Sequence, residues 1–176
     1  MVTIGRLDNT PLGTIWSAAS DEGVVAVSLW DDGARFAADV ARLTGKTPLL
    51  DGEAESAAAQ FVAAALAQLD EYLRGVRREF DVPLDWSPIK PFQRAALEQV
   101  SAVGYGRTDT YQNIANRLGR PGAVRAVGQA NAMNPIPIII PCHRILGSDG
   151  KLHGYGARGG IETKAWLLRL EGSWLL

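Results

Sequence analysis

A five-residue stretch, "SPIKP" at 87–91, constrains this chain more than any other. Pro88 and Pro91 lack a backbone N–H and hold φ near −65°, so no regular element runs through both. The same stretch marks a reversal of charge. Residues 1–86 carry 7 Lys/Arg against 14 Asp/Glu, whereas residues 87–176 carry 11 against 5. We therefore expect an acidic domain over 1–86 and a basic one over 87–176. A chain of 176 residues can supply two small cores.

The two parts also differ in periodicity. "VTIGRLD", "GTIWSAA" and "GVVAVSLW" read as strands, separated by turn chemistry in "NTPL" and "SDEG". "ARFAADVARL" reads as a helix. So does Glu53 to Leu73, closed by Gly75, in which Ala57, Phe61, Ala64, Ala65, Leu66 and Leu69 recur at helical spacing. "FDVPLDW" reads as extended. The second part is mostly helical, with Pro91 suited to the first position of "PFQRAALEQVSAV". Thr110 suits the N-cap of "YQNIANRL". Gly119 can close that helix in the left-handed conformation, and Pro121 can open the next, "GAVRAVGQANAM". Two short helices joined by "GRP" make a helix-turn-helix pattern. The expected class is α+β: a small sheet-and-helix domain, then a mainly helical domain with a helix-turn-helix.

At 47% hydrophobic and 21% charged, the chain has the composition of a soluble globular protein. Its apolar run at 135–142 is far shorter than the roughly 20 residues that span a bilayer. The N-terminus shows no basic region followed by an apolar core, so no secretory signal is expected. A single cysteine forms no internal disulfide, which fits a reducing cytoplasm. Cys142, His143 and His153 are too few for a structural zinc site, and neither metal nor cofactor is expected. The basic part could bind a polyanion, although the two oppositely charged parts could equally attract each other. Gly122, Ala123, Ala126, Gly128 and Ala130 leave one helix nearly bare, with Arg125 as its one long charged side chain. Such a helix packs tightly inside a protein or presses against nucleic acid.

Cys142 follows Pro141 at the end of "IIIPCHRI". A lone cysteine is by default a small buried hydrophobe. Here Pro141 can set the thiol at the start of a turn or helix, where free N–H groups lower its pKa. His143 brings an imidazole and Arg144 a fixed positive charge. Consecutive side chains do not face each other, so His143 would reach the thiol through a water molecule. A carboxylate orienting the other ring nitrogen would complete a nucleophile–base–acid set, and Glu171 is the one chosen.

"MNPIPIIIPCHRILGSDGKLHGYG", preceded by "FQRAALEQVSAVGYGRTDTYQNIANRLGRPGAVRAVGQANAMNP" and followed by "KAWLLRLEG", closely resembles the O6-alkylguanine–DNA alkyltransferases, also called methylated-DNA–protein-cysteine methyltransferases. The resemblance covers essentially all of 91–172, and the first domain matches in layout only. It implies transfer of an alkyl group from O6 of guanine in duplex DNA to Cys142, once per molecule, and leaves O4-alkylthymine open. By the same resemblance His143 is the base, Glu171 its orienting carboxylate, and Tyr111 the proton donor to guanine N3. Asn134 is the hinge that ties the active-site turn to the helix-turn-helix. Arg125 fills the gap left by the extruded nucleotide, since chemistry on a stacked base requires its removal from the duplex. Ala126, Gly128, Tyr111 and Arg144 join Arg125 as expected DNA contacts through the minor groove. Tyr155, Gly156, Arg158, Met133 and Pro137 are the expected pocket. The implied protein is a cytoplasmic monomer, with cooperative assembly along DNA left open.

The chain departs from the family in "YGARGGIETK", which carries two extra residues around Ala157 and Arg158, and in Gly156, where some relatives have serine. Two rivals remain at this stage: a lesion-binding module without chemistry, and a cysteine hydrolase that turns over repeatedly.

Overall fold

In a computed structural model, residues 1–29, 32–51, 55–157 and 159–174 are described. The chain divides into two compact units, Met1–Pro88 and Ile89–Leu176, and the division falls inside "SPIKP".

In the first unit β1 (Val2–Thr10), β2 (Gly13–Ser20) and β3 (Gly23–Ser28) form an antiparallel meander. Its register places Ile4 opposite Ala18, and Ala18 opposite Ala26. That face buries Val2, Ile4, Trp16 and Ala18 against Phe36 and Val40 of α1 (Gly33–Thr44). The opposite face receives α2 (Ala57–Leu73): a Cβ added at Gly5 would stand 2.8 Å from Cγ1 of Val62. Helices on both faces explain why the strands are apolar almost throughout rather than alternating.

Three details differ from the sequence reading. β4 (Leu49–Leu50) pairs in parallel with β1 at the sheet edge, and two residues are too few to show a period. "FDVPLDW" supplies only an isolated bridge from Leu84 to Val24, because Pro83 can accept from Val24 N–H but has no N–H to extend a ladder. The second helix begins at Ala57, where the hydroxyl of Ser56 accepts from the N–H of Ala59 at 3.1 Å. The expected start at Glu53 lies outside the described residues, as does Trp30.

The second unit contains α3 (Pro91–Ser101), β5 (Asp109–Thr110), α4 (Tyr111–Arg117), α5 (Val124–Ala132), β6 (Ile145–Leu146) and α6 (Gly160–Leu170). A single 3-10 turn, Cys142–Arg144, precedes β6. The parallel pair of β5 and β6 brings Thr110 opposite Leu146. Tyr111, the first residue of α4, is thereby held beside the chain that leaves the cysteine turn. Thr110 caps α4 by accepting from the N–H of Asn113 at 3.1 Å. Gly119 ends the helix at φ 68°. Pro121 does not open α5; it sits in a turn closed by the Ala123 N–H on the Arg120 carbonyl, and the helix starts three residues later at Val124. Among the described residues no helix is long and apolar enough to cross a membrane.

Thr110→Ala removes the cap and should cost about 1 kcal/mol, read as a lowered urea midpoint of the intact chain.

Candidate active site

Glu171 is the C-cap of α6 and is buried. A carboxylate at a helix C-terminus faces the negative end of the dipole, so it needs donors from elsewhere. The cysteine turn provides them. His143 Nε2 lies 2.7 Å from Oε1 of Glu171, with both side chains fully buried. Arg144 donates Nε to Oε2 at 3.0 Å and Nη2 to Oε1 at 2.9 Å. The N–H of Gly106 reaches Oε2 at 3.2 Å. An ionised carboxylate only accepts, so the imidazole carries its hydrogen on Nε2 and its lone pair on Nδ1. Burial holds the His143 pKa below its usual value, against the pull of Glu171, which keeps the ring neutral.

Arg144, expected among the DNA contacts, has a buried guanidinium that holds Glu171 and donates to the carbonyl of Val103 at 2.5 Å.

Cys142 is buried and opens the 3-10 turn after Pro141. The expected lowering of its pKa does not hold: burial pushes the thiol up, against the Asn134 amide, the Lys164 charge and the turn's own N–H groups, which pull it down. Upstream, Asn134 spans a tight loop, donating to the Ile140 carbonyl at 2.9 Å and accepting from Ile136 N–H at 3.0 Å. Inside that loop Ile138 is fully buried at φ 73°, a conformation that β-branched residues rarely adopt. The surrounding hydrogen bonds hold the strain.

A cleft of about 240 Å³ is lined by Tyr111, Gly128, Asn131, Ala132 and residues 153–156. Asn131 links it to the cysteine turn by donating to the Cys142 carbonyl at 3.2 Å. Tyr155 and Gly156 are on its wall; Met133 and Pro137 are not. Met133 ends α5 and is 63% exposed, whereas Pro137 is buried in the Asn134 loop. Arg158 lies outside the described residues. Gly156 has a steric reason, because a Cβ there would overlap the Ala132 carbonyl oxygen. Arg125 and Ala126 are exposed on α5, and a Cβ placed on Gly128 would meet nothing within 4 Å beyond its chain neighbours and its own helical backbone.

Sequence reasoning gave no role to Lys164 or Asn131. Lys164 is fully buried, and its ammonium donates to the carbonyls of Ile145 (2.6 Å), His153 (3.2 Å) and Gly154 (3.4 Å), and to the Tyr111 hydroxyl (3.4 Å). The only signal in the sequence is a lysine on the apolar side of "KAWLL". Tyr111 donates its hydroxyl to the His153 carbonyl at 3.1 Å, and burial raises its pKa. Among the described residues, no group of three or more His, Cys, Asp or Glu side chains could hold a metal ion.

Burial brings the Lys164 pKa down from 10.5 to about 8. Between these values the unfolded chain binds the extra proton, so the folded state gains stability as pH rises through the window. Lys164→Met should abolish that gain, seen as parallel denaturation midpoints at pH 8 and 10 once the remaining groups are subtracted by comparison with the parent.

Two family models match: the 6-O-methylguanine DNA methyltransferase ribonuclease-like domain over 5–86, and the DNA binding domain of the same methyltransferase over 91–173. The methylated-DNA–protein-cysteine methyltransferase of Mycolicibacterium paratuberculosis is 48% identical over 62% of this chain, and the match spans 64% of that protein's length. The one from Methanosarcina acetivorans is 37% identical over 93% of this chain and 95% of its own. The crystal structure of the Mycobacterium tuberculosis O6-methylguanine methyltransferase superposes with a TM-score of 0.75 at 35% identity, covering 100% of this chain and 96% of that one. The OGT of the same organism in complex with DNA gives 0.77 at 35% identity, covering 97% and 93%. This chain belongs to the methylated-DNA–protein-cysteine methyltransferase family.

Proposed function

We propose that this chain repairs DNA by moving an alkyl group from O6 of guanine to Sγ of Cys142. The observation that carries the reading is a buried relay, Cys142 followed by His143 with its Nε2 on Glu171 at 2.7 Å. His143 Nδ1 takes the thiol proton through a bridging water molecule, and the imidazolium so formed lies against the Glu171 carboxylate. The thiolate attacks the alkyl carbon; the S–C bond forms as the C–O6 bond breaks. The electron pair passes into the purine, and N3 takes the proton of Tyr111, so guanine leaves neutral. Lys164, 3.4 Å from the phenol oxygen, stabilises the resulting phenolate. A thioether does not hydrolyse readily, so each molecule acts once.

A buried thiol cannot reach O6 in a stacked base, so the nucleotide turns out of the duplex into the cleft beside Tyr111 and Tyr155. The exposed, small-residue face of α5 suits a minor groove only about 6 Å wide. Arg125 then fills the vacated stack. The groove's degenerate pattern gives little sequence preference, and lesion choice rests with the cleft. In this reading the protein works as a monomer in the cytoplasm, Asn134 holds the cysteine loop against α5, and no metal or cofactor takes part.

The test is incubation with a duplex holding one O6-methylguanine, followed by peptide mass mapping. The expected outcome is one added methyl group on the peptide containing Cys142, saturating at one per molecule. Continued turnover would favour the hydrolase reading. A bound lesion with Cys142 unmodified would leave a sensor without chemistry.

A further inference from the structure

The second histidine has no part in the chemistry above, yet its main chain stands at the centre of the cleft wall. The His153 carbonyl accepts both the Tyr111 hydroxyl, at 3.1 Å, and the Lys164 ammonium, at 3.2 Å. One oxygen therefore sets the direction of the phenol that delivers the proton. The segment carrying it is a loop, 147–156, which lacks the backbone ladder of a helix or strand. Something must fix that oxygen.

The His153 side chain is itself tied down outside the cleft. Its Nε2 lies 3.0 and 3.1 Å from the two carboxylate oxygens of Asp149. Asp149 is in turn held by the Lys151 N–H at 3.0 Å, and the loop is closed by Gly147 N–H on the Lys151 carbonyl at 3.1 Å. The ring lies against Gly147, where any Cβ would overlap the imidazole and the Asp149 carboxylate. A bare glycine, a carboxylate and an imidazole thus form a catch on the solvent side of the loop. His153 and Asp149 keep side-chain exposures of 56% and 46%, so the pair adds little to global stability.

We propose that His153 is a positioning residue for alkyl transfer, fastened to Asp149 over Gly147 so that its carbonyl aims the Tyr111 hydroxyl at the extruded base. The proposal rests on the role given above to Tyr111. A misplacement on the order of an ångström at a reacting group is enough to slow a reaction measurably. His153→Ala should therefore lower the limiting single-turnover rate on O6-methylguanine duplex by roughly 3- to 10-fold. Affinity for the same duplex, measured in a Cys142→Ser background, should not change. His153→Gln keeps an N–H for Asp149 and should recover most of the rate. Asp149→Asn combined with His153→Ala should be no slower than His153→Ala alone.

The decisive comparison is made in a Tyr111→Phe background, where the carbonyl has no hydroxyl to aim. There His153→Ala should have no further effect on rate. An equal loss with and without the hydroxyl would mean the catch serves only loop folding, and parental speed in His153→Ala would remove the proposal outright. If Tyr111→Phe itself reacted at the parental rate, the assignment of the proton donor would fail instead, which separates the two readings.

Discussion

One buried carboxylate organises the second unit. Glu171 closes α6 where the helix dipole opposes a negative charge, and it is compensated by two consecutive residues of the cysteine turn. Because Arg144 and His143 both converge on it, the turn cannot rotate without leaving a charge unpaired in the interior, which costs several kcal/mol. The position of Cys142 follows from that constraint. The same contact selects the imidazole tautomer, so in the proposed reaction the bond that anchors the turn also prepares the base. The turn itself is a single 3-10 turn after Pro141.

Much of this was legible from residues alone. Strands with Gly and Asn turns, the Thr110 cap, the left-handed Gly119 and the Cys142–His143 pair all carry local physical signals, and each lies where those signals place it. The burial of Arg144 was not legible, because nothing local states whether an arginine turns inward. Lys164 was hidden for the same reason: its partners are carbonyls of 145, 153 and 154, brought together only by tertiary structure. The two-residue strands β4, β5 and β6 are too short for any period to reveal. Pro121 misled because its fixed φ suits a turn as well as a helix start.

The cleft shows how a departure from the family acquires a reason. Gly156 sits against the Ala132 carbonyl oxygen, so a side chain there would push the 153–156 wall away from α5. The Ala157 carbonyl accepts from the N–H of Gly160, the first residue of α6, at 3.1 Å. Buried groups then tie that wall to the chemistry: Lys164 and Tyr111 share the His153 carbonyl, and Asn131 joins the cleft to the backbone of Cys142. Cys142 and His143 on one turn and Tyr111 at the start of α4 are thereby joined by a handful of hydrogen bonds.

The most direct measurement is the single-turnover rate of methyl transfer in Glu171→Gln, at saturating O6-methylguanine duplex and neutral pH. Glutamine preserves the size of the side chain and can still accept from Arg144, but it removes the charge that stabilises an imidazolium. The result expected is a loss on the order of 100-fold, with duplex affinity and the folded circular dichroism spectrum retained. A folded Glu171→Gln protein that transfers methyl at the parental rate would contradict the claim that this carboxylate prepares the thiol through His143.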